Sequence, residues 1–146
     1  MFIGTSLSCQ KRTFISISEF GLLPNTGEDA RPYIIKALEV CKEQRIRTLT
    51  FPKGRYDLYP DKGQLKEKNI LKQKATIGIN FEGLTGFTLD GNDSEFIYHG
   101  KMEIMSVHNC QDIILKNFSV DWDHPVAFPI CVSYPFLGQS LIRLLN

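Results

Sequence analysis

The sequence lacks an excess of charge of either sign. Its 146 residues include 17 Lys and Arg against 16 Asp and Glu, which gives a formal net charge of +1. A chain so nearly neutral has no overall field that would concentrate phosphate groups, so nucleic acid and anionic membrane surfaces are disfavoured as partners. The sequence also lacks a run of about 18 or more apolar residues, and it therefore predicts no transmembrane span.

Closely spaced cysteines are lacking as well. The four cysteines, Cys9, Cys41, Cys110 and Cys131, form no Cys-x-x-Cys pair and no Cys/His spacing suited to zinc. The sequence therefore predicts no metal site and requires no cofactor. Cys41 and Cys110 are expected to be small, buried, apolar side chains, as most free cysteines are.

The N-terminal segment MFIGTSLSCQKR is a short run of apolar and small residues that ends in Cys9 and a basic pair. It resembles the end of a bacterial lipoprotein signal peptide, with Cys9 as the lipid-anchored residue. It has no basic beginning, and its apolar stretch is shorter than the about 7 to 15 residues of a signal sequence, so a frayed N-terminus is the alternative. The first interpretation places the protein outside the cytoplasm of a bacterium, in the periplasm or as an outer-membrane lipoprotein.

Local patterns predict a strand, a helix and two further strands in the first part of the chain. Interleaved Phe, Ile and Ser residues over Thr13–Ser18 suit a short strand. Apolar residues then recur with the helical period. Because Pro32 is tolerated only in the first turn of a helix, this helix is predicted over about Ala30–Gln44 with Asp29 as its N-cap. Arg47–Pro60 predicts two strands around a Pro-Lys-Gly turn.

The second half of the sequence shows an internal similarity. Residues 61–74 are rich in lysine and predict a solvated loop. After them, an offset of 26 residues aligns Ile79–Gly91 with Met105–Asn117. At this offset apolar residues meet at Ile79/Met105, Phe81/Val107, Leu84/Cys110, Phe87/Ile113 and Leu89/Leu115, and turn residues meet at Gly83/Asn109, Gly86/Asp112 and Gly91/Asn117.

A period of that length, made of strands and turns, is typical of a solenoid. The sequence therefore predicts an all-β fold, a parallel β-helix whose stacked apolar side chains fill the interior. The amphipathic helix is expected to cover its N-terminal end. An antiparallel sheet of two hairpins is the alternative.

Two sets of motifs connect the sequence to known proteins. NTGEDARPYIIKAL and TLTFPKGRYDL resemble the N-terminal part of right-handed parallel β-helix enzymes that act on carbohydrates. LDGNDSEFIYHG and CQDIILKNFSVDWDHP are similar, more specifically, to glycoside hydrolase family 110, the bacterial α-1,3-galactosidases. The resemblance runs from about Ser18 to Pro125. It implies a single-stranded, right-handed, pectin-lyase-like β-helix, a glycan substrate, and hydrolysis of terminal α-1,3-linked galactose with inversion.

The resemblance also implies an organisation for the chain. Residues 13–125 are expected to form the N-terminal cap and first rungs of the β-helix, after the signal remnant in residues 1–12. Residues 126–146 hold a single charge, Arg143, and lack the preceding pattern, so they are expected to be an atypical apolar tail, out of frame with the rest. The fold is therefore expected to be truncated before the rungs that carry the family's catalytic carboxylates.

Three functions remain open at this point. The first is a glycoside hydrolase of the α-1,3-galactosidase type. The second is a catalytically inactive β-helix fragment that at most binds carbohydrate. The third is a pectin-directed lyase or hydrolase, which is disfavoured because the polygalacturonase signatures and a dense, calcium-binding Asp cluster are absent from the sequence.

Asp121 and Asp123 are the candidate catalytic residues. Glycoside hydrolysis usually needs two carboxylates, one as general acid and one as base or nucleophile. Residues two apart on an extended strand share a face at about 6.6 to 6.8 Å, which falls within the roughly 6.5 to 9.5 Å of inverting enzymes. Trp122 is the candidate substrate-binding residue, because an indole ring can stack on a sugar. The alternative is a strand-ending turn before Pro125, in which alternation sends Trp122 to the opposite face.

The other polar residues of interest are expected to be structural. His99 and His108 lie at a predicted turn and a predicted corner, and we expect them to be hydrogen-bonded histidines rather than proton carriers. Asp90, Asn92 and Asp93 predict a turn, because these residue types tolerate positive φ.

Overall fold

Parallel strand pairing organises the chain. The computed structural model describes residues 11–60, 76–124 and 142–145. These contain one α-helix and eight strands: β1 Phe14–Ser16, α1 Arg31–Gln44, β2 Thr48–Thr50, β3 Arg55–Leu58, β4 Thr76–Glu82, β5 Thr85–Tyr98, β6 Met102–His108, β7 Gln111–Trp122 and β8 Ile142–Leu145. All strand pairs in these ranges are parallel, so the antiparallel alternative is wrong. Eight strands and a single α-helix are compatible with the predicted all-β class.

The strands form two sheets. The larger has the order β1-β2-β5-β7-β8, with β3 also beside β5. β2 pairs with Thr88–Asp90 and β3 with Glu95–Tyr98, both along the edge of β5 that β7 does not occupy. β2 and β3, on either side of the Pro-Lys-Gly turn, therefore lie in succession along the same edge of β5, with a bend between them. β4 and β6 form the smaller sheet.

The register between β4 and β6, and between β5 and β7, pairs the residues that the 26-residue offset aligns. These pairs include Ile79↔Met105, Phe81↔Val107, Phe87↔Ile113 and Leu89↔Leu115. The register shifts between Asp90 and Ser94, and Tyr98 then lies opposite Trp122. The 26-residue spacing therefore holds up to this irregularity and not beyond it.

In two of the aligned pairs of turn residues, both members adopt the left-handed backbone conformation. These pairs are Gly83 (φ 66°) with Asn109 (51°), and Gly86 (61°) with Asp112 (52°). Asn92 (51°) and Asp93 (57°) also have positive φ, but they lie within β5, at the irregularity in its pairing with β7, so the predicted turn between strands is wrong. Asp90 instead accepts hydrogen bonds from the Asn92 N–H at 3.0 Å and from Asn117 Nδ2 at 2.9 Å. Its carboxylate thereby ties the corner of β5 to that of β7.

The first predicted strand is shorter than expected. β1 ends at Ser16, and Ile17–Phe20 form a 3₁₀ helix. The Ser16 hydroxyl accepts a hydrogen bond from the Ser18 N–H at 3.4 Å, and the Glu19 carboxylate accepts one from the Ser16 N–H at 3.2 Å. This capping box, rather than the β-propensity of Ile17, decides the local structure.

The helix α1 has Ala30 as its N-cap, so the prediction that Asp29 is the N-cap is wrong. Asp29 forms a parallel bridge with Asp57 of β3 instead. Its carboxylate accepts hydrogen bonds from the N–H groups of Arg31 at 3.1 Å and Tyr59 at 3.3 Å. Asp29 therefore still satisfies one helix donor, but it also fixes the start of α1 to the end of β3.

One cluster of buried side chains from α1 and both sheets forms the core. Phe96 lies at its aromatic centre, fully buried, with ring centroids 5.2 Å from Phe51, 6.0 Å from Tyr56 and 5.2 Å from Phe118. The helix contributes Ile34, Ala37, Leu38 and Cys41. Cys41 and Cys110 are both buried, as the sequence predicts.

We expect Gly78→Ala to destabilise the chain by roughly 1 to 3 kcal/mol through overpacking. A Cβ atom at Gly78 would lie 2.3 Å from Tyr98 Cε1 and 2.7 Å from the Ile104 carbonyl oxygen, and the backbone oxygen cannot move aside cheaply. The free energy of unfolding from urea denaturation measures the loss. Asn80→Ala, at an exposed position of the same strand, is the control and should change it by less than about 0.5 kcal/mol. Equal effects of the two variants would contradict the packing at Gly78.

Several predictions concern residues outside the described ranges: the lipid anchor at Cys9, the loop over residues 61–74, Cys131, and most of the tail over residues 126–146. Within that tail, Ile142–Leu145 form β8, which pairs with Ile113–Lys116 of β7. In the described parts of the chain, the helices are too short or too polar to cross a membrane.

Candidate functional site

Charged side chains converge on the outer face of the larger sheet, near the ends of β3, β5 and β7. On the inner side of β3, Tyr56 and Leu58 are buried in the core. Because side chains alternate along a strand, Arg55 and Asp57 point to the opposite face.

The residue after each of these strands continues the same register. The His99 N–H donates to the Leu58 carbonyl at 2.9 Å, and the Asp123 N–H donates to the Tyr98 carbonyl at 3.0 Å. Tyr59, His99 and Asp123 are therefore neighbours across three strands. Together with two residues of β3 they form what we call the His99 cluster: Arg55, Asp57, Tyr59, His99 and Asp123.

Asp57 is the buried carboxylate of the His99 cluster, with 4% of its side chain exposed. Arg55 donates to it from Nε, at 3.1 Å to Oδ1 and 3.2 Å to Oδ2, and from Nη2, at 2.7 Å to Oδ1. His99 Nε2 lies 2.8 Å from the same Oδ1. These contacts supply the hydrogen bonds that a buried carboxylate requires.

The pKa of Asp57 lies below its ordinary value of 3.8. Burial acts in the opposite direction, because it penalises the charged form. Hydrogen bonds from Arg55 and His99 and the charges of those groups outweigh the burial. The carboxyl group therefore stays ionised to lower pH than a free aspartic acid.

The stability of the chain should show this ionisation. Because the folded pKa of Asp57 is the lower one, the unfolded chain binds more protons between the two values. The contribution of Asp57 ionisation to the free energy of unfolding is thus present above pH 3.8, and it is lost as the pH falls through the folded pKa. Asp57→Asn should lower the free energy of unfolding by roughly 1 to 2 kcal/mol near neutral pH, since solvent screens the Arg55 side chain, which is 44% exposed.

Urea denaturation of both proteins between about pH 7 and about pH 2 tests this prediction. The difference between them should shrink toward acid pH. Glu95→Gln, at an exposed position of β5, is the control and should change the free energy of unfolding by less than about 0.5 kcal/mol. A difference for Asp57→Asn that stays constant down to about pH 2 would show that Asp57 ionisation does not stabilise the fold.

His99 is held between two carboxylates. Its Nε2 faces Asp57, and its Nδ1 lies 3.5 Å from Oδ2 of Asp123. The Tyr59 ring stacks on the imidazole, with centroids 4.1 Å apart and an interplanar angle of 8°. The Tyr59 hydroxyl donates to the Gly27 carbonyl at 3.2 Å, which fixes that ring in turn. The side chain of His99 is only 17% exposed, so its orientation is well defined by its neighbours.

Asp123 is the exposed member of the His99 cluster, with 39% of its side chain accessible to solvent. Its Oδ2 also lies 2.9 Å from Nδ1 of His124, whose side chain is 88% exposed. A buried carboxylate, a confined imidazole and an exposed carboxylate therefore follow one another from β3 to the end of β7. Such a row can hold a proton and present it to a ligand on the outer face.

The structure places the three sequence-predicted site residues on two faces. Asp121 and Asp123 are both exposed near the end of β7, and Asp121 Oδ1 accepts a hydrogen bond from the Trp122 N–H at 2.8 Å. Trp122 packs against Tyr98 of the core, with ring centroids 5.7 Å apart. Its buried Nε1 has no hydrogen-bond partner among the described residues. Alternation along β7 separates the aspartates from the indole, and the roles of all three residues stay predictions.

The two histidines differ in their surroundings. His99 is hydrogen-bonded, as the sequence predicts, although its partner Asp57 lies 42 residues away. His108 is exposed at the end of β6, and its carbonyl accepts hydrogen bonds from the Gly83 N–H at 3.0 Å and from Cys110 Sγ at 3.1 Å.

Sequence reasoning missed Arg55, Asp57 and Tyr59. The available signal was an acidic residue between Tyr56 and Leu58, in the middle of a strand with buried apolar neighbours. A charge in such a position needs a partner nearby, which points to Arg55 two residues before it. Within the described residues, no group of three or more His, Cys, Asp or Glu side chains is arranged to hold a metal ion.

The fold and the cluster define a class: an all-β protein of parallel sheets whose outer face carries carboxylates on either side of a histidine. No family model matches the sequence. Individual relatives do match it. An α-1,3-galactosidase B of Bacteroides thetaiotaomicron is 40% identical over 117 residues, which cover 77% of this chain and 19% of that protein. An α-1,3-galactosidase A of Shewanella woodyi is 40% identical over 126 residues, 84% of this chain and 20% of that protein.

An α-1,3-galactosidase B of Parabacteroides distasonis is 34% identical over 127 residues, 81% of this chain and 21% of that protein. The chain thus spans about a fifth of the length of the curated relatives it matches. The similarity that the motifs predict is confirmed: over this part of their length, the chain is homologous to the α-1,3-galactosidases of glycoside hydrolase family 110.

Proposed function

We propose that the chain is part of a glycoside hydrolase of the α-1,3-galactosidase type. Such an enzyme removes terminal α-1,3-linked galactose from glycans. The observation that carries this proposal is the 40% identity to two proteins named α-1,3-galactosidase, from two different bacteria. The matched stretches cover 77% and 84% of this chain.

We propose further that the parallel sheets are rungs of a right-handed, single-stranded β-helix. Two features support this. The chain runs from β4 to β5 and then from β6 to β7. The second pair of strands lies beside the first, with β6 next to β4 and β7 next to β5. Connections between parallel strands of one sheet are right-handed in almost all proteins, which gives the proposed hand.

For the chemistry we propose an inverting mechanism with Asp123 as general acid and Asp121 as general base, in place of the carboxylates that the resemblance expects on later rungs. Asp121 and Asp123 are both exposed, and alternate residues of an extended strand are about 6.6 to 6.8 Å apart along the backbone. That spacing leaves room for the attacking water between carboxylate and sugar.

A chimaera tests the proposed function. The stretch of the Bacteroides thetaiotaomicron enzyme that aligns with this chain is replaced by the corresponding residues of this chain, and galactose release from α-1,3-galactosyl galactose is measured. We expect release within about tenfold of the parent enzyme, and no release from the α-1,4- and α-1,6-linked isomers. A chimaera that is soluble and folded but releases no galactose would contradict the proposal.

The second candidate, a carbohydrate-binding piece without catalysis, predicts a different result. The 146-residue chain would bind the disaccharide, while the chimaera would be inactive. The exposed side chains of the His99 cluster favour carbohydrate contact in either case, because carboxylates accept hydrogen bonds from sugar hydroxyl groups.

A further inference from the structure

We propose that β6 and the second half of β7 form an interface for a separate polypeptide, which adds further parallel strands along them. We call this surface the open edge: Met102–His108 and Phe118–Trp122. The partner that fits it is the remainder of an α-1,3-galactosidase chain. This association depends on the homology of the chain and not on the proposed activity.

Strand pairing occupies only one side of the open edge. In the described parts of the chain, β6 pairs with β4 alone, and Phe118–Trp122 pair with β5 alone. β8 lies along the other side of β7, but its register covers Ile113–Lys116 and ends there. The open edge therefore continues the line along which β8 already adds a parallel strand.

Side chains of the open edge are less buried than their partners one strand earlier. In β4 and β5, four of these partners are fully buried: Ile79, Phe81, Phe96 and Tyr98. The residues paired with them in β6 and β7 pack against the core but are only partly buried: Met105, Val107, Val120 and Trp122. Apolar surface of the core is thus left accessible along the open edge.

β8 provides a comparison within the same strand. Where β8 pairs with β7, Ile113 and Leu115 are buried as fully as Phe87 and Leu89, their partners in β5. A parallel strand beside β7 is therefore sufficient to complete burial at these positions. We infer that a strand beside Phe118–Trp122 would complete it there too, and that burial of apolar surface would favour the association.

Backbone groups of the open edge also suit a further strand. The Asp123 N–H donates to the Tyr98 carbonyl and so points toward β5. Backbone groups alternate along a strand, so the N–H groups of Val120 and Trp122 point to the other side. There the Trp122 N–H donates to the Asp121 carboxylate, at 2.8 Å, rather than to a strand. Carbonyl groups of an added strand could accept these hydrogen bonds.

The remainder of a relative fits this edge better than a second copy does. β4 lies at the other end of the smaller sheet, and α1 packs against it. A second copy stacked in the same direction would therefore bring a helix, not a strand, to β6. The curated relatives, by contrast, have about four fifths of their length outside the matched part. In each of them, that remainder belongs to one chain with the counterpart of the open edge.

Fluorine NMR of the 146-residue chain tests the interface, because Trp122 is the only tryptophan in its sequence. The chain is labelled with 5-fluorotryptophan and mixed with the Bacteroides thetaiotaomicron α-1,3-galactosidase B from which the aligned stretch has been removed. We expect a one-to-one complex by light scattering. The fluorine signal should shift and should no longer respond to the exchange of water for heavy water, since Trp122 becomes buried.

A peptide is the second probe, and it needs no folded structure of its own. It consists of the residues of the same enzyme that follow the aligned stretch, over the length of two repeats. It should shift the Trp122 signal in the same direction. No complex and no shifted signal with either probe would overturn the proposal.

Val120→Pro is the variant that blocks the open edge. Proline has no N–H to donate to an added strand, and it is tolerated on an edge strand when its nitrogen faces away from the neighbouring strand. We expect the complex to weaken at least about 100-fold. Val120→Ile keeps the N–H and the branched shape, so this matched control should change the affinity by less than about threefold.

Three results would separate the alternatives. A complex that Val120→Pro does not weaken would contradict pairing along β7. Burial of Trp122 in the chain alone, with a doubled mass by light scattering, would overturn the proposed partner in favour of a second copy. A complex that forms but releases no galactose from α-1,3-galactosyl galactose would support the interface and count against the proposed function alone.

Discussion

Asp123→Asn is expected to slow galactose release by the chimaera at least about 100-fold, because general acid catalysis typically contributes a factor of about 100 to 10,000. Asparagine has nearly the same size as aspartate and can still accept a hydrogen bond from His124. It cannot hold a proton that is transferable to the glycosidic oxygen. The effect should therefore appear in kcat, with a much smaller change in KM.

Asp93→Asn is the matched control for this substitution. Asp93 is exposed at the corner of β5, and its backbone has positive φ, which asparagine tolerates. The same chemical change, away from the His99 cluster, should leave the rate of release unchanged within about twofold. Similar rates for the Asp123→Asn and Asp93→Asn chimaeras would remove Asp123 from the proposed chemistry.

Phe96→Ala should lower the free energy of unfolding of the 146-residue chain by about 3 to 5 kcal/mol, which is the usual cost of deleting a fully buried aromatic ring. Phe96 is completely buried and contacts the rings of Phe51, which follows β2, of Tyr56 in β3 and of Phe118 in β7. Its loss would leave a cavity among side chains that hold β3, β5 and β7 together. Since small domains have about 5 to 15 kcal/mol of stability in total, much of the chain should unfold at moderate urea concentration.

Phe14→Ala provides the comparison for Phe96. Phe14 is 60% exposed at the start of β1, so its removal should cost less than about 0.5 kcal/mol in the same urea experiment. A loss for Phe96→Ala no larger than that for Phe14→Ala would mean that the aromatic centre does not stabilise the sheet.

The parallel pairing of β4–β7 could be predicted because two independent signals coincide. Apolar residues such as Phe87 and Ile113 repeat at the same offset as turn residues such as Gly86 and Asp112, and strand pairing needs both. The N-cap of α1 could not be predicted in the same way. Asp29 has the residue type of a cap, but its carboxylate also accepts a hydrogen bond from Tyr59, a contact that no local pattern reveals.

Only part of the candidate site could be predicted from the sequence, for a similar reason. Asp123 stands out in the sequence because it follows Asp121 closely. The link from His99 to Asp57 depends on pairing between β3 and β5, and the spacing between these strands differs from that between β5 and β7. No repeat therefore places Leu58 opposite Tyr98, and a contact over 42 residues had no signal in the sequence.

We propose that the outer face of β3, β5 and β7 carries the site for galactosides. Two-dimensional amide NMR of the nitrogen-labelled 146-residue chain, titrated with α-1,3-galactosyl galactose, tests it most directly. We predict that shifted amide signals concentrate at residues 55–59, 97–99 and 121–124. Saturating disaccharide that shifts no signal, or shifts only those of β4 and β6, would contradict the claim.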